Sequence, residues 1–328
     1  MRIRAERWER HQIALYLLAL AVGAGVGLTV PAAAGPAGSA ITPVLGLLLY
    51  ATFLGVPFGR IGAALRDWRF LLTVLAVNFA IVPAVVFALS RIVAHDRALL
   101  IGVLFVLLTP CVDYVIVFAG IAGGARDRLL AATPLLMVGQ MLMLPVLLNW
   151  FAGGGFVSEI DPAPFVEALL LLVALPLAAA AATQWLAFRS RAGAIVQGVV
   201  LAATVPLMTL TLALVVASQI SGVGARLGSL LLAIPVYVLF AAIMVPVGAA
   251  AARLGGLDVP GRRAVVFSGV TRNSLVVLPL VLALPEPFDL APLAVVAQTL
   301  VELLALVLLI RVVPRWVRDR GPLARPAA

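Results

Sequence analysis

The chain alternates long apolar runs with short polar breaks from end to end. A helix needs roughly 20 apolar residues to cross the hydrocarbon of a bilayer, and helices satisfy their own backbone in lipid. On that measure the pattern predicts an all-α, polytopic membrane protein with ten spans. They lie near residues 12–30, 40–58, 70–90, 98–122, 129–150, 163–187, 196–219, 228–252, 264–284 and 290–313. The breaks between them carry Gly, Pro and charge, as at Gly59 to Arg69, Gly123 to Arg128 and Arg253 to Arg263. The first run, Ile13 to Val30, is long for a secretory signal and fits a span, although small residues follow at Ala32 to Ala34.

Composition agrees with this class. Of the 328 residues, 64% are hydrophobic and 11% charged, against about half and a quarter in a soluble domain. The pattern leaves no room for a separate soluble domain, so residues 1–328 read as one transmembrane unit. The net charge is +9 and every basic residue is arginine. Their placement in short loops beside apolar runs reads as topology signal, not as a nucleic-acid surface.

The arginines also test the span count. With the N-terminus cytoplasmic, Arg2, Arg4, Arg7, Arg10, Arg60, Arg66, Arg69, Arg126, Arg128, Arg189, Arg191, Arg253, Arg262 and Arg263 fall inside, followed by Arg311, Arg315, Arg318, Arg320 and Arg325. Arg91, Arg97 and Arg226 fall outside, and Arg272 lies within a span. The bias predicts a multi-pass protein of the cell (plasma, in a bacterium inner) membrane with both termini cytoplasmic. Ten spans divide into halves of five, about 12–150 and 163–313, which predicts an inverted repeat with broken fourth and ninth helices.

Candidate chemistry sits at membrane depth. In the fourth span, Pro110 lacks an amide hydrogen and interrupts the helix just before Cys111, Asp113 and Tyr114. An aspartate at a helix centre costs at least about 2.5–3.5 kcal/mol, so Asp113 is expected to face a cavity or a counter-ion. The ninth span carries Ser268, Thr271, Arg272, Asn273 and Ser274. Arg272 is about 12 Å of helix rise from the start of that span, near mid-depth, and calls for an anion: Asp113, Glu302 or the substrate. In the tenth span Gln298 and Glu302 are four apart and share a face. Asn78 in the third span and Gln140 in the fifth complete the set. An intramembrane acid such as Glu302 marks a proton or cation site, whereas a lone Asn or Gln in a span is more often packing glue.

Other classes fade on inspection. No nucleophile elbow, zinc-protease helix or phosphate loop is present, so no enzyme is expected. One cysteine excludes an internal disulfide, and His11 and His95 lack metal-ligand spacing, so no metal or other cofactor is expected beyond a coupling ion, H+ or Na+. A receptor or scaffold would want a soluble signalling domain. Secondary transport of a small solute remains, with the lipid bilayer as the protein's other partner and no nucleic acid.

Thr109-Pro110-Cys111, trailing into Ala122-Gly123-Gly124, resembles the arsenite permeases of the bile acid:sodium symporter superfamily. Those proteins carry a Pro-Cys pair in a broken fourth helix and an acid in the tenth, where this chain has Cys111 and Glu302. Asn78 to Pro83 is similar to that family's third span. The ninth span departs: the permeases have Asn-Asn-Phe-Glu there, and this chain has Arg272-Asn273-Ser274-Leu275, closer to the bile-acid branch. Asp113 is the candidate to replace the missing acid. The resemblance implies efflux of arsenite, and of antimonite, by proton antiport. The alternative it implies is a sodium-coupled importer of a bile-acid-like organic anion, with Arg272 on the substrate carboxylate and Asn273, Gln298 and Glu302 around sodium.

Overall fold

The computed structural model describes residues 2–55, 66–112, 114–153, 170–220, 227–285, 288 and 290–318. Among these the secondary structure is helical apart from one isolated backbone bridge. Helices occupy all ten predicted positions. α1 is Arg2–Thr29 and α2 is Ala34–Leu54, while α3, Trp68–Val93, runs through a π turn at Val77–Ile81. The fourth span is two helices, α4 (Arg97–Leu107) and α5 (Tyr114–Ile121), followed by α6 (Arg126–Phe151). The second half comprises α7 (Leu175–Arg189), α8 (Arg191–Ala202), α9 (Thr204–Gln219) and α10 (Leu227–Leu254). α11 (Val259–Val270) and α12 (Ser274–Leu282) form the split ninth span, and α13 (Ala291–Trp316) the tenth.

Five of these helices are uninterrupted and apolar over a full membrane thickness, and α8 with α9 adds a sixth across a 42° bend. Prolines account for some of these irregularities, although Pro43, Pro134, Pro145, Pro235 and Pro246 lie within continuous helices and the break between α11 and α12 contains none. Pro206, near the start of α9, has no amide to continue the ladder from α8. Pro83 acts differently: its missing N–H and ring are accommodated by widening the preceding turn, with Val82 N–H bonding Val77 O. A π turn at Leu170–Ala174 stands in the same relation to Pro176. The linker predicted at Gly59 to Arg69 lies largely outside the described residues.

Two groups of helices result. α1, α2, α7, α8 and α9 pack together, and α3–α6 pack with α10–α13; the groups meet along α9–α13 and α2–α12. Small residues permit the closest approaches. Gly23 and Gly27, one turn apart, abut the backbone of α9, where a Cβ at Gly23 would stand 2.5 Å from Ala213 O. Gly102 of α4 lies equally close to α13. The outer faces are apolar in the extreme, with Trp150, Phe188 and Leu254 more than three-quarters exposed. In water such surfaces would aggregate, and in lipid they are solvated. The second group holds the buried polar residues and, at one edge, a charged tie. Arg128 at the start of α6 meets Asp67, which caps α3, and Asp258, which caps α11, at 3.1 and 2.7 Å.

Candidate functional site

The two split spans cross at their breaks. α4 ends at Leu107 and α11 at Val270; Leu108 closes the last turn of α4 before the chain leaves the helix, and Thr271 beyond α11 is already extended. The extended pieces pair antiparallel: Cys111 N–H donates to Thr271 O at 3.3 Å, and Asn273 N–H donates to Thr109 O at 2.8 Å. Pro110 and Arg272 face each other at the centre of this bridge. The bridge satisfies backbone groups that a bilayer cannot, which is the condition for non-helical chain at membrane depth. The expected interruption at Pro110 and Thr271 is therefore present, and it brings the two halves' polar segments together.

Arg272 is fully buried. Its Nη2 donates to Ser268 O at 2.6 Å, Gly269 O at 2.8 Å and Asn78 Oδ1 at 2.9 Å, and its Nη1 to Leu107 O at 3.4 Å. Three of these acceptors are carbonyls from the last turns of α4 and α11, which lack helical partners and form the negative end of each helix dipole. The ring of Phe240 on α10 lies 5.4 Å from the guanidinium carbon, a cation–π distance. Asn78 reaches this position from the π turn of α3 and also donates to Ser268 Oγ at 3.0 Å, so it ties α3 to α11. Of the roles open to Asn78, positioning Arg272 is the one its contacts describe.

Glu302 meets the same residue from α13. Its Oε2 accepts the Arg272 main-chain N–H at 2.8 Å and also accepts from the Gln298 side-chain amide, one turn away on the same face. Between α4, α10, α11 and α13 lies a cavity of about 10 Å³, lined by Leu107, Tyr237, Phe240, Val270, Gln298 and Glu302. That is about the room one water needs.

The other candidates divide. Cys111 is fully buried in the extended segment beside Thr271. Thr271 bonds its own helix through Phe267 O, and Asn273 Oδ1 accepts the Val276 N–H and so caps α12. Gln140 is buried on α6. Both amide atoms of Gln140, Asn273 Nδ2, Ser274 Oγ and Gln298 Oε1 are buried without a hydrogen-bond partner among the described residues. Asp113 and the side chain of Tyr114 lie outside the described residues. No cluster of metal-ligating side chains occurs among the described residues. Sequence reasoning passed over Phe240 and Tyr237. Nothing distinguishes Phe240 from any aromatic in a span. Tyr237 carries a polar tip at depth, which was a signal, and its hydroxyl donates to Ala294 O at 2.8 Å.

The model of the Sodium Bile acid symporter family matches residues 42–226, from within α2 to just beyond α9, and so includes Thr109-Pro110-Cys111. Comparison with curated proteins found no match. The match spans more than half of the chain, and the helical, lipid-facing architecture agrees with it: the chain belongs to the sodium bile acid symporter family, whose members are membrane transporters of small molecules.

Proposed function

We propose that this protein exports arsenite, and its antimony homologue, from the cell in exchange for protons, with Cys111 as the substrate contact and Glu302 as the proton carrier. The observation that carries the reading is the position of Cys111. The chain's one thiol lies where α4 breaks and pairs with the break before α12. Transporters bind their substrates at such interrupted helices near mid-membrane. Arsenite is neutral at pH 7, so one soft ligand among neutral oxygens suits it better than a cluster of charge. Binding exchanges one hydroxyl of the arsenous acid for the thiol sulfur: an As–S bond forms, an As–O bond breaks, and the thiol proton leaves with the hydroxyl as water. Attack of water reverses the exchange and releases the substrate. One thiol gives a bond weak enough for that.

Glu302 is the one described carboxylate at the crossing, and the adjacent cavity has room for a water that would pass it a proton. In this reading residues 12–150 and 163–313 are inverted repeats, because each half supplies helices to both groups and one split helix to the crossing. The arginine bias puts both termini in the cytoplasm of a cell's plasma membrane. In this reading Thr271, Asn273 and Ser274, at the bridge and the start of α12, lie beside the substrate's path.

The test is arsenite resistance and efflux in a host stripped of its own arsenite pumps. The wild type is expected to confer resistance, and Cys111→Ser to abolish it at unchanged protein level. Full resistance in the Ser variant removes Cys111 from the site. A wild type that confers none, but takes up a taurocholate-like anion with sodium, replaces the reading with the organic-anion importer.

A further inference from the structure

The guanidinium of Arg272 sits in a site built for a cation. Four oxygens converge on it: three backbone carbonyls, Ser268 O, Gly269 O and Leu107 O, and the side-chain oxygen of Asn78. The carbonyls come from the C-terminal ends of two half-helices. Unwound carbonyls and half-helix C-termini are the elements from which transporters assemble sites for a coupling cation such as sodium, and hard cations take oxygen ligands of this kind. An arginine recruited to bind an anionic substrate would turn its fork toward an open cleft. Here Nη2 meets three acceptors with two hydrogens and has nothing left for a ligand. An arginine present only to snorkel would reach the interface, yet Arg272 is fully buried.

We infer that Arg272 is a tethered cation: its guanidinium permanently fills the oxygen-lined site at the helix crossing, and the carrier therefore neither binds sodium there nor needs it. This rests on the transporter reading but not on arsenite as the substrate. The arrangement explains how α4 and α11 tolerate breaks whose carbonyls point at one another, since the fixed positive charge holds both helix ends together. It also assigns Asn78 and Phe240 a purpose, as the side-chain oxygen and the aromatic face of the site. The family's name refers to sodium; in this chain the ion's charge is covalently supplied.

The experiment is thermal unfolding of the purified full-length protein at constant ionic strength in sodium or choline chloride, for the wild type, Arg272→Ala and Arg272→Lys. The wild type is expected to melt at the same temperature in both salts. Arg272→Ala is expected to melt roughly 5–10 °C lower in choline, and sodium or a low concentration of guanidinium is expected to raise its melting temperature saturably. Arg272→Lys, with a smaller tethered cation, should lie between the two and remain indifferent to sodium. Saturable stabilisation of the wild type by sodium would overturn the inference, as would an Ala variant that responds to neither ion. Should Arg272→Ala fail to fold in any salt, the Lys variant and the wild type decide: sodium stabilising either one overturns the inference, and indifference in both supports it. No arsenite enters this assay, so failure of the arsenite reading and failure of the tethered cation give different results.

Discussion

Replacing Glu302 by Gln separates folding from coupling. The carboxylate Oε2 accepts two hydrogen bonds, from the Arg272 main-chain N–H at 2.8 Å and from the Gln298 amide. Bonds to a charged group contribute about 1.5–3 kcal/mol and neutral ones about 0.5–1.5. If the Gln oxygen accepts both, the variant loses about 2–3 kcal/mol in all. Opposing this, an ionised group at the membrane centre costs about 2.5–3.5 kcal/mol, which the neutral side chain does not incur. The terms nearly cancel, so Glu302→Gln is expected to melt within a few degrees of the wild type. Transport is another matter: a proton carrier must alternate between protonated and ionised states, and Gln has one state. In proteoliposomes, arsenite flux driven by a pH gradient is expected to fall to the level of protein-free vesicles. Equilibrium arsenite counterflow, which needs no net proton movement, should persist. Gradient-driven flux at the wild-type rate would refute the proton role. Recovery of flux on raising sodium would refute it in another way, by making Glu302 a sodium ligand.

The remaining predictions concern packing and positioning. Gly102→Val places a Cβ 2.7 Å from Ala291 O and 2.8 Å from Ala294 Cβ, and the backbone of α13 cannot yield. Overpacking of this kind costs about 1–3 kcal/mol, readable as a lowered melting temperature. Asn78→Leu removes an acceptor from Arg272 and the partner of Ser268, and is expected to cost about 1.5–3 kcal/mol or more and to reduce transport, with protein level checked by blotting. Arg128→Ala breaks the tie to Asp67 and Asp258, but all three side chains are more than a third exposed. It should therefore change stability by less than about 1 kcal/mol and leave transport near the wild-type rate.

The sequence by itself determined the class, the places of the ten helical units and the two breaks. The physical reason is that lipid is a uniform solvent: every spanning segment must be apolar and must close its own hydrogen bonds, so each departure stands out. Pro110 and the run from Thr271 to Ser274 announced themselves in this way, as did Glu302 in an otherwise aliphatic helix. What the sequence left open was partnership. It left Arg272 three candidate anions; among the described residues, neutral oxygens from three separate helices accept from its guanidinium, while Glu302 meets the main-chain N–H of the same residue. Three of those oxygens are backbone carbonyls, which every residue possesses and no pattern marks. They become ligands only when α4 and α11 stop at the same depth and cross. Asn78 became a partner because the π turn at Val77–Ile81 that carries it lies against α11, within reach of Ser268 and Arg272. Depth in the membrane is written in one dimension, but which groups face each other at that depth is decided by how helices more than 160 residues apart in the chain are brought together.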